Sequence, residues 1–293
     1  MKFFRRFKAV RWLFALLAAI VSALLVVPVF ANANVQPARY GLSQDGVKPT
    51  IVLVHGAWAD GSSWDQVIPI LQQEGYTVDA PPNPLQGLTT DSAYLESYLS
   101  TISGPIILVG HSYGGAVITN AATGNPNVKA LVYVDGFEPA AGETIEQLAF
   151  AMPGSCLAGG GNPSNVFNLV TNPSLSAGDY DLYLKIPPGT DYPGFASCFA
   201  NLVPPQESAV LGAVQRPLAL GALTTPSGTP AWLTIPSWAV IGTDDQVIPP
   251  AELTFMAERA NSQITYVTAG HLSMITQPWV VARVITQAAQ VEG

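Results

Sequence analysis

Along the chain, short continuous apolar runs alternate with longer stretches in which apolar residues recur every three or four positions. The runs are Thr50 to Val54 (TIVLV), Tyr76 to Ala80, Pro105 to Val109 (PIILV), Val128 to Val134 (VKALVYV), Ser237 to Ile241 (SWAVI) and Gln263 to Val267. Runs this short and this rich in Val and Ile suit strands covered on both faces. Between them, helices are expected over Ser63 to Glu74 with Gly75 as the stop, Asp91 to Ile102, Gly114 to Ala122, Pro250 to Ala260, and Gln277 to Gln290. Strand alternating with helix predicts an α/β fold whose mainly parallel sheet is flanked by helices.

One interval breaks the alternation. From Gly136 to Trp232 no clear strand is visible, Pro, Gly, Ser and aromatic residues are dense, and Lys185 and Arg216 are the only cations. So long an interval inside a compact domain reads as an inserted lid with short helices rather than one open loop. The division expected is therefore a core from residues 34–135, a lid from 136–232 and the rest of the core from 233–293. There is no internal repeat and no low-complexity tract.

Charge adds a leader. Lys2, Arg5, Arg6, Lys8 and Arg11 supply five of the twelve cations, an apolar run from Trp12 to Val27 follows, and Ala31-Asn32-Ala33 ends it. Basic head, apolar middle and A-x-A exit form a secretory signal peptide over residues 1–33, with an uncleaved helical anchor as the competing reading. Cleavage would leave seven cations against twenty acids, changing the net charge from −8 to −13. The expected product is exported, periplasmic or extracellular. So acidic a chain lacks the Lys and Arg that phosphate neutralisation needs, so nucleic acid is not an expected partner.

Export also colours the two Cys. Cys156 and Cys198 form no Cys-x-x-Cys motif. In an oxidising compartment they are expected to form a disulfide, contributing about 4 kcal/mol in the chain-entropy model, with two buried thiols as the alternative. Two Cys and three His, without a His-Glu-x-x-His pair, leave no metal set, and no metal or other cofactor is expected.

The chemistry collects where the apolar runs end. Gly110-His111-Ser112-Tyr113-Gly114-Gly115 follows PIILV and opens a small-residue helix. Strand before and helix after is the context that the G-x-S-x-G motif needs, with a sharp turn that exposes the central Ser. Serine needs a base, and three His are available. His111 adjoins Ser112 and should point away from it, and His55 ends the first strand. His271 stands in a loop after the last strand, so position and elimination favour it. The acid should then lie between Ser112 and His271. Ile241-Gly242-Thr243-Asp244-Asp245-Gln246 offers two carboxylates at a strand end. Asp245 is preferred to Asp244, and Asp135 is the outside candidate.

Val54-His55-Gly56-Ala57-Trp58, Gly110 to Gly115, Gly242-Thr243-Asp244-Asp245 and Gly270-His271 together resemble the α/β-hydrolase superfamily. More narrowly the chain is similar to its lidded bacterial esterases, a branch shared with plant methyl-ester esterases and hydroxynitrile lyases. The resemblance runs from about Pro49 to Ala289 and includes Gln215-Arg216-Pro217, Pro230-Ala231-Trp232 and Met256 to Ala260. It implies a sheet of about six core strands with the switch point between TIVLV and PIILV. It also implies an oxyanion hole made by the backbone N–H groups of Ala57 and Tyr113, and it sets the acid at Asp245.

The expected activity is serine-dependent hydrolysis of small to medium apolar carboxylic esters through an acyl-enzyme. Trp58 and His55 are expected at the pocket, and lid aromatics such as Phe137, Phe150, Phe167, Tyr180, Tyr183, Tyr192, Phe195, Phe199 and Trp232 supply either pocket wall or lid core. Two other readings stand beside it: a slow ligand-binding or carrier protein on the same fold, and a hydroxynitrile-lyase-type enzyme. The sequence does not specify an oligomeric state.

Overall fold

A computed structural model describes residues 48–186 and 194–292. The expected signal segment, residues 1–33, and Tyr192 lie outside the described residues.

The first part of the core runs β1 (Thr50–Val54), α1 (Val67–Gln73), β2 (Thr77–Asp79), α2 (Leu88–Leu99), β3 (Ile106–His111), α3 (Tyr113–Ala121) and β4 (Val128–Val134). The helix expected from Ser63 is shorter than its apolar spacing suggested. Gly61–Trp64 forms a separate 3-10 turn capped by Asp60, and α1 begins only at Val67. Pro69 has no N–H to give to residue 65, so the helix can reach back only within its own first turn.

After β4 come α4 (Ile145–Ala151), β5 (Phe167–Val170), β6 (Asp181–Leu184), α5 (Phe195–Cys198), α6 (Pro205–Val214), β7 (Leu218–Ala219) and α7 (Leu220–Thr224). This interval therefore holds strands that the apolar pattern did not reveal. They form a three-stranded antiparallel sheet in the order β5-β6-β7. Four residues of β5 and β6, FNLV and DLYL, and two of β7 are too few to show a period of two. Their ladder is made by partners distant in sequence, which local propensity cannot report. Cys156 and Cys198 are joined by a disulfide with Cα atoms 5.7 Å apart, tying the segment after α4 to the end of α5.

The chain returns to the core with β8 (Ser237–Gly242), α8 (Pro250–Arg259), β9 (Gln263–Val267), α9 (Ser273–Thr276) and α10 (Pro278–Glu292). The main sheet has six strands, all parallel, in the order β2-β1-β3-β4-β8-β9. β3 and β8 are buried along their whole length, which is why they read as continuous apolar runs rather than alternating ones. The chain leaves β1 toward β2 and then crosses to β3 on the other side, so the crevice where the order reverses lies at the carboxyl ends of β1 and β3.

Candidate active site

Ser112 sits at that crevice, between β3 and α3, with φ 52° and ψ −123°. A non-glycine residue at positive φ is strained by about 1–3 kcal/mol and persists only where its surroundings fix it. The glycines two residues to either side are what allow the turn. A Cβ on Gly110 would lie 2.6 Å from Gly114 O, and one on Gly114 would lie 2.5 Å from Val54 O. A side chain at Gly110 would push α3 away from β3, and one at Gly114 would push it off the end of β1.

His271 lies in the loop after β9 and is fully buried. Its Nδ1–H donates to Asp245 Oδ2 at 2.7 Å, which leaves Nε2 to accept from the Ser112 hydroxyl at 2.8 Å. Asp245 is buried in the turn after β8, and its Oδ1 accepts the N–H groups of Val247 and Ile248 at 2.8 and 3.0 Å. Burial pushes the His271 imidazole down to about 3, so it stays neutral, the form that can take a proton. Burial also raises the Asp245 carboxyl above its ordinary value, while the two backbone donors pull it back. Asp244 is exposed and bonded to Thr243 Oγ1, so it faces away from His271. Asp135 is buried, but its oxygens accept the N–H groups of Gly242 and Ser273. Of the three carboxylates considered from the sequence, Asp245 is the one hydrogen-bonded to the imidazole.

Ala57 and Tyr113 flank Ser112 on the wall of a cavity of about 500 Å³. Tyr113 opens α3, so its N–H has no partner within the helix. The Ala57 N–H donates to no other backbone group in the described turns and loops. Both are free to meet an oxygen near Ser112. Trp58 also lines the cavity, as do Phe137, Phe150, Phe167 and Tyr180, and Glu146 is its one charged wall residue among those described. The Trp58 indole N–H donates to Leu182 O at 2.8 Å, fastening the loop after β1 to β6. Phe195 and Phe199 are buried and Trp232 is partly buried, none of them on the wall of this cavity, and the Phe199 ring centroid lies 5.3 Å from that of His271.

His55 does not reach the cavity. It is fully enclosed, its Nδ1–H donates to Gly56 O, and its Nε2 accepts the Asn83 N–H at 2.9 Å. Asn83 returns a bond from its amide to His55 O at 3.0 Å. Burial lowers the His55 imidazole to about 4, so it acts as a neutral strut behind the Ala57 loop. His111 points away from Ser112 and donates from Nε2 to His271 O at 2.9 Å, holding the backbone of the imidazole loop. Asn201 holds the same loop and its neighbour: its amide donates to Asp244 O at 2.7 Å, and its Oδ1 accepts the His271 N–H at 3.4 Å. Asn83 and Asn201 carry no motif signal, because their partners are remote in sequence.

A neutral imidazole that accepts from a serine and donates to a carboxylate, beside two unengaged N–H groups, can generate a nucleophile and stabilise an oxyanion. Known proteins share the fold. The alpha/beta hydrolase family profile matches residues 51–284. The chain is 28% identical to a pyrethroid hydrolase of Sphingobium wenxiniae over 260 residues, covering 82% of this chain and 87% of that one. It is 36% identical to a carbendazim hydrolyzing esterase of Nocardioides sp. over 110 residues, which is 33% of this chain and only 46% of that protein. The crystal structure of a pyrethroid hydrolase from Sphingobium faniae aligns with a TM-score of 0.60 at 22% identity, covering 83% of this chain and 97% of that chain. Polyneuridine aldehyde esterase aligns with a TM-score of 0.61 at 17% identity, over 82% and 98%. With 234 contiguous residues matched and the parallel sheet in place, the chain belongs to the alpha/beta hydrolase family.

Proposed function

We propose that this protein is a serine hydrolase of neutral, largely apolar carboxylic esters, with Ser112 as nucleophile, His271 as base and Asp245 as the acid that orients it. His271 Nε2 takes the hydroxyl proton as Ser112 Oγ attacks the ester carbonyl carbon. The carbonyl oxygen becomes an oxyanion held by the N–H groups of Ala57 and Tyr113. Collapse breaks the bond to the alkoxy group, which leaves as the alcohol with the proton from His271. Water, deprotonated by His271, then attacks the acyl-enzyme and releases the acid, and Ser112 regains its proton.

The observation that carries this reading is the hydrogen-bonded row Ser112–His271–Asp245 on the edge of an apolar cavity. Relatives named a pyrethroid hydrolase and a carbendazim hydrolyzing esterase support ester hydrolysis as the reaction class. A cavity of about 500 Å³ is in the ordinary range for a small-molecule site and is in keeping with the small to medium esters expected from the sequence. A wall without cations among the described residues disfavours anionic esters. Residues 1–33 are read as an export signal, which would bring Cys156 and Cys198 into an oxidising compartment.

The test is a panel of p-nitrophenyl esters of graded acyl length, neutral ones beside one whose acyl chain ends in a carboxylate, with wild type and Ser112→Ala side by side. Hydrolysis should fall by roughly 1,000-fold or more in the variant. Unchanged hydrolysis in Ser112→Ala would overturn the nucleophile assignment, and a preference for anionic esters would overturn the substrate class.

A further inference from the structure

The turn that ends β4 touches all three loops of the candidate site. On the nucleophile side, the Ser112 N–H donates to Val134 O at 3.3 Å and the Phe137 N–H donates to Ser112 O at 3.1 Å. Between those two residues stands Asp135, whose own N–H donates to Val240 O at 2.9 Å. Its side chain then divides. Oδ1 accepts the N–H of Gly242, three residues before Asp245, at 2.7 Å, and Oδ2 accepts the N–H of Ser273, two residues after His271, at 3.2 Å. Asp135 is fully buried and adopts φ 44°, a left-handed conformation that an aspartate tolerates better than most side chains.

We propose that Asp135 is a positioning residue whose one carboxylate ties the segment just past His271 to the end of β8 ahead of Asp245, fixing the second side of the loop on which the imidazole stands. The proposal rests on the serine-hydrolase reading. His271 must meet Asp245 at 2.7 Å and Ser112 at 2.8 Å at once, although the three residues arrive on three separate loops. Backbone bonds carry the β8–β9 pairing on through the Thr243 N–H to Val267 O at 2.9 Å and the Asp244 N–H to Ala269 O at 3.0 Å, and Asn201 bridges Asp244 O and the His271 N–H, so the two loops are joined up to His271. Past His271, the Asp135 carboxylate adds the bond to Ser273. Asp135 links these two loops through one rigid, planar group, and its flanking peptides link both to the elbow of the third. It touches no reacting atom. Its effect is on where the imidazole stands, and a misplacement of about 1 Å can lower turnover on the order of 100-fold.

Asp135→Asn and Asp135→Ala test this in the full chain, with wild type and Ser112→Ala as controls. Asparagine keeps the shape but offers one acceptor, so one of the two N–H groups meets a donor instead. Alanine removes both acceptors. The measurements are thermal unfolding, kcat and KM on p-nitrophenyl butyrate, and the rate of covalent labelling by a fluorophosphonate. The expected result for Asp135→Asn is a folded protein with kcat and labelling rate lowered in parallel by about 10- to 100-fold and KM nearly unchanged, with a larger loss in Asp135→Ala. Wild-type kcat and labelling in either folded variant overturns the proposal. So does an Asp135→Asn protein that cannot fold, or whose activity falls only as its folded fraction falls, because Asp135 would then serve the fold alone. Labelling that persists in Ser112→Ala overturns the hydrolase reading itself, whatever the Asp135 variants do.

Discussion

The Tyr113 hydroxyl donates a 2.8 Å hydrogen bond to Asp91 Oδ2, and both side chains are buried. Asp91 also accepts the N–H groups of Gln86 and Gly87. The side chain of a residue that lines the cavity is thus anchored in the first turn of α2. Tyr113→Phe removes one donor and leaves the carboxylate its backbone partners, so stability should fall by about 1–3 kcal/mol. Urea unfolding measures the loss. Labelling of Ser112 by a fluorophosphonate should persist, because the Tyr113 N–H is untouched. An abolished label in a folded variant would count against the side chain being only an anchor.

Burial holds the His271 imidazole at about 3, well under the ordinary 6.5. Protonated imidazole cannot accept from Ser112, so activity is lost as pH falls through the pKa of the free enzyme. The acidic limb of kcat/KM should therefore lie below 6.5. A pH profile on a neutral ester reads it directly. A limb at 6.5 or higher would mean that the carboxylate of Asp245 outweighs burial.

Glu138, beyond the turn after β4, is 1% exposed, accepts from Ser262 Oγ at 2.8 Å, and is pushed up by burial to about 8. Its folded value exceeds its ordinary 4.5, so the folded state holds the proton more tightly. The associated stability is fully present below pH 4.5 and is lost as pH rises through 8. In wild type this carboxyl should lower Tm progressively across that window. Glu138→Gln should flatten that part of the curve, and an identical pH dependence in both proteins would rule the carboxyl out as the cause.

The Cys156–Cys198 bond closes a loop of sequence separation 42, and the Cys156 N–H donates to Gln246 O next to Asp245. The double variant Cys156→Ser/Cys198→Ser should lose about 2–4 kcal/mol of stability. Dithiothreitol should lower the Tm of wild type and leave that of the variant unchanged. Equal sensitivity of the two proteins to the reductant would dissociate the bond from stability.

The Trp58 indole ties the loop after β1 to β6 and stacks on Phe167 at 5.6 Å. Trp58→Phe keeps a ring and removes the N–H donor to Leu182 O. The loop carrying Ala57 should then loosen, lowering kcat for long-chain and short-chain esters alike. A loss confined to long-chain esters would assign Trp58 to the acyl pocket alone.

The amino-acid sequence by itself determined the six parallel core strands and most of the helices between them, because strands such as TIVLV and SWAVI are covered on both faces and their composition is local. It also located the turn at Ser112, since the glycines that permit the turn stand within two residues of it. Only the tertiary structure decided which carboxylate meets His271. Position and resemblance favoured Asp245, but Asp245, Asp244 and Asp135 all follow a strand, and only the packed loops show whether each faces the imidazole, solvent or backbone N–H groups. The same holds for β5, β6 and β7, for Asn83 behind His55 and for Asp91 under Tyr113. Their partners lie far away along the chain. Propensity and motif act over a few residues, whereas a hydrogen bond across the fold exists only once the core has packed and brought its two ends together.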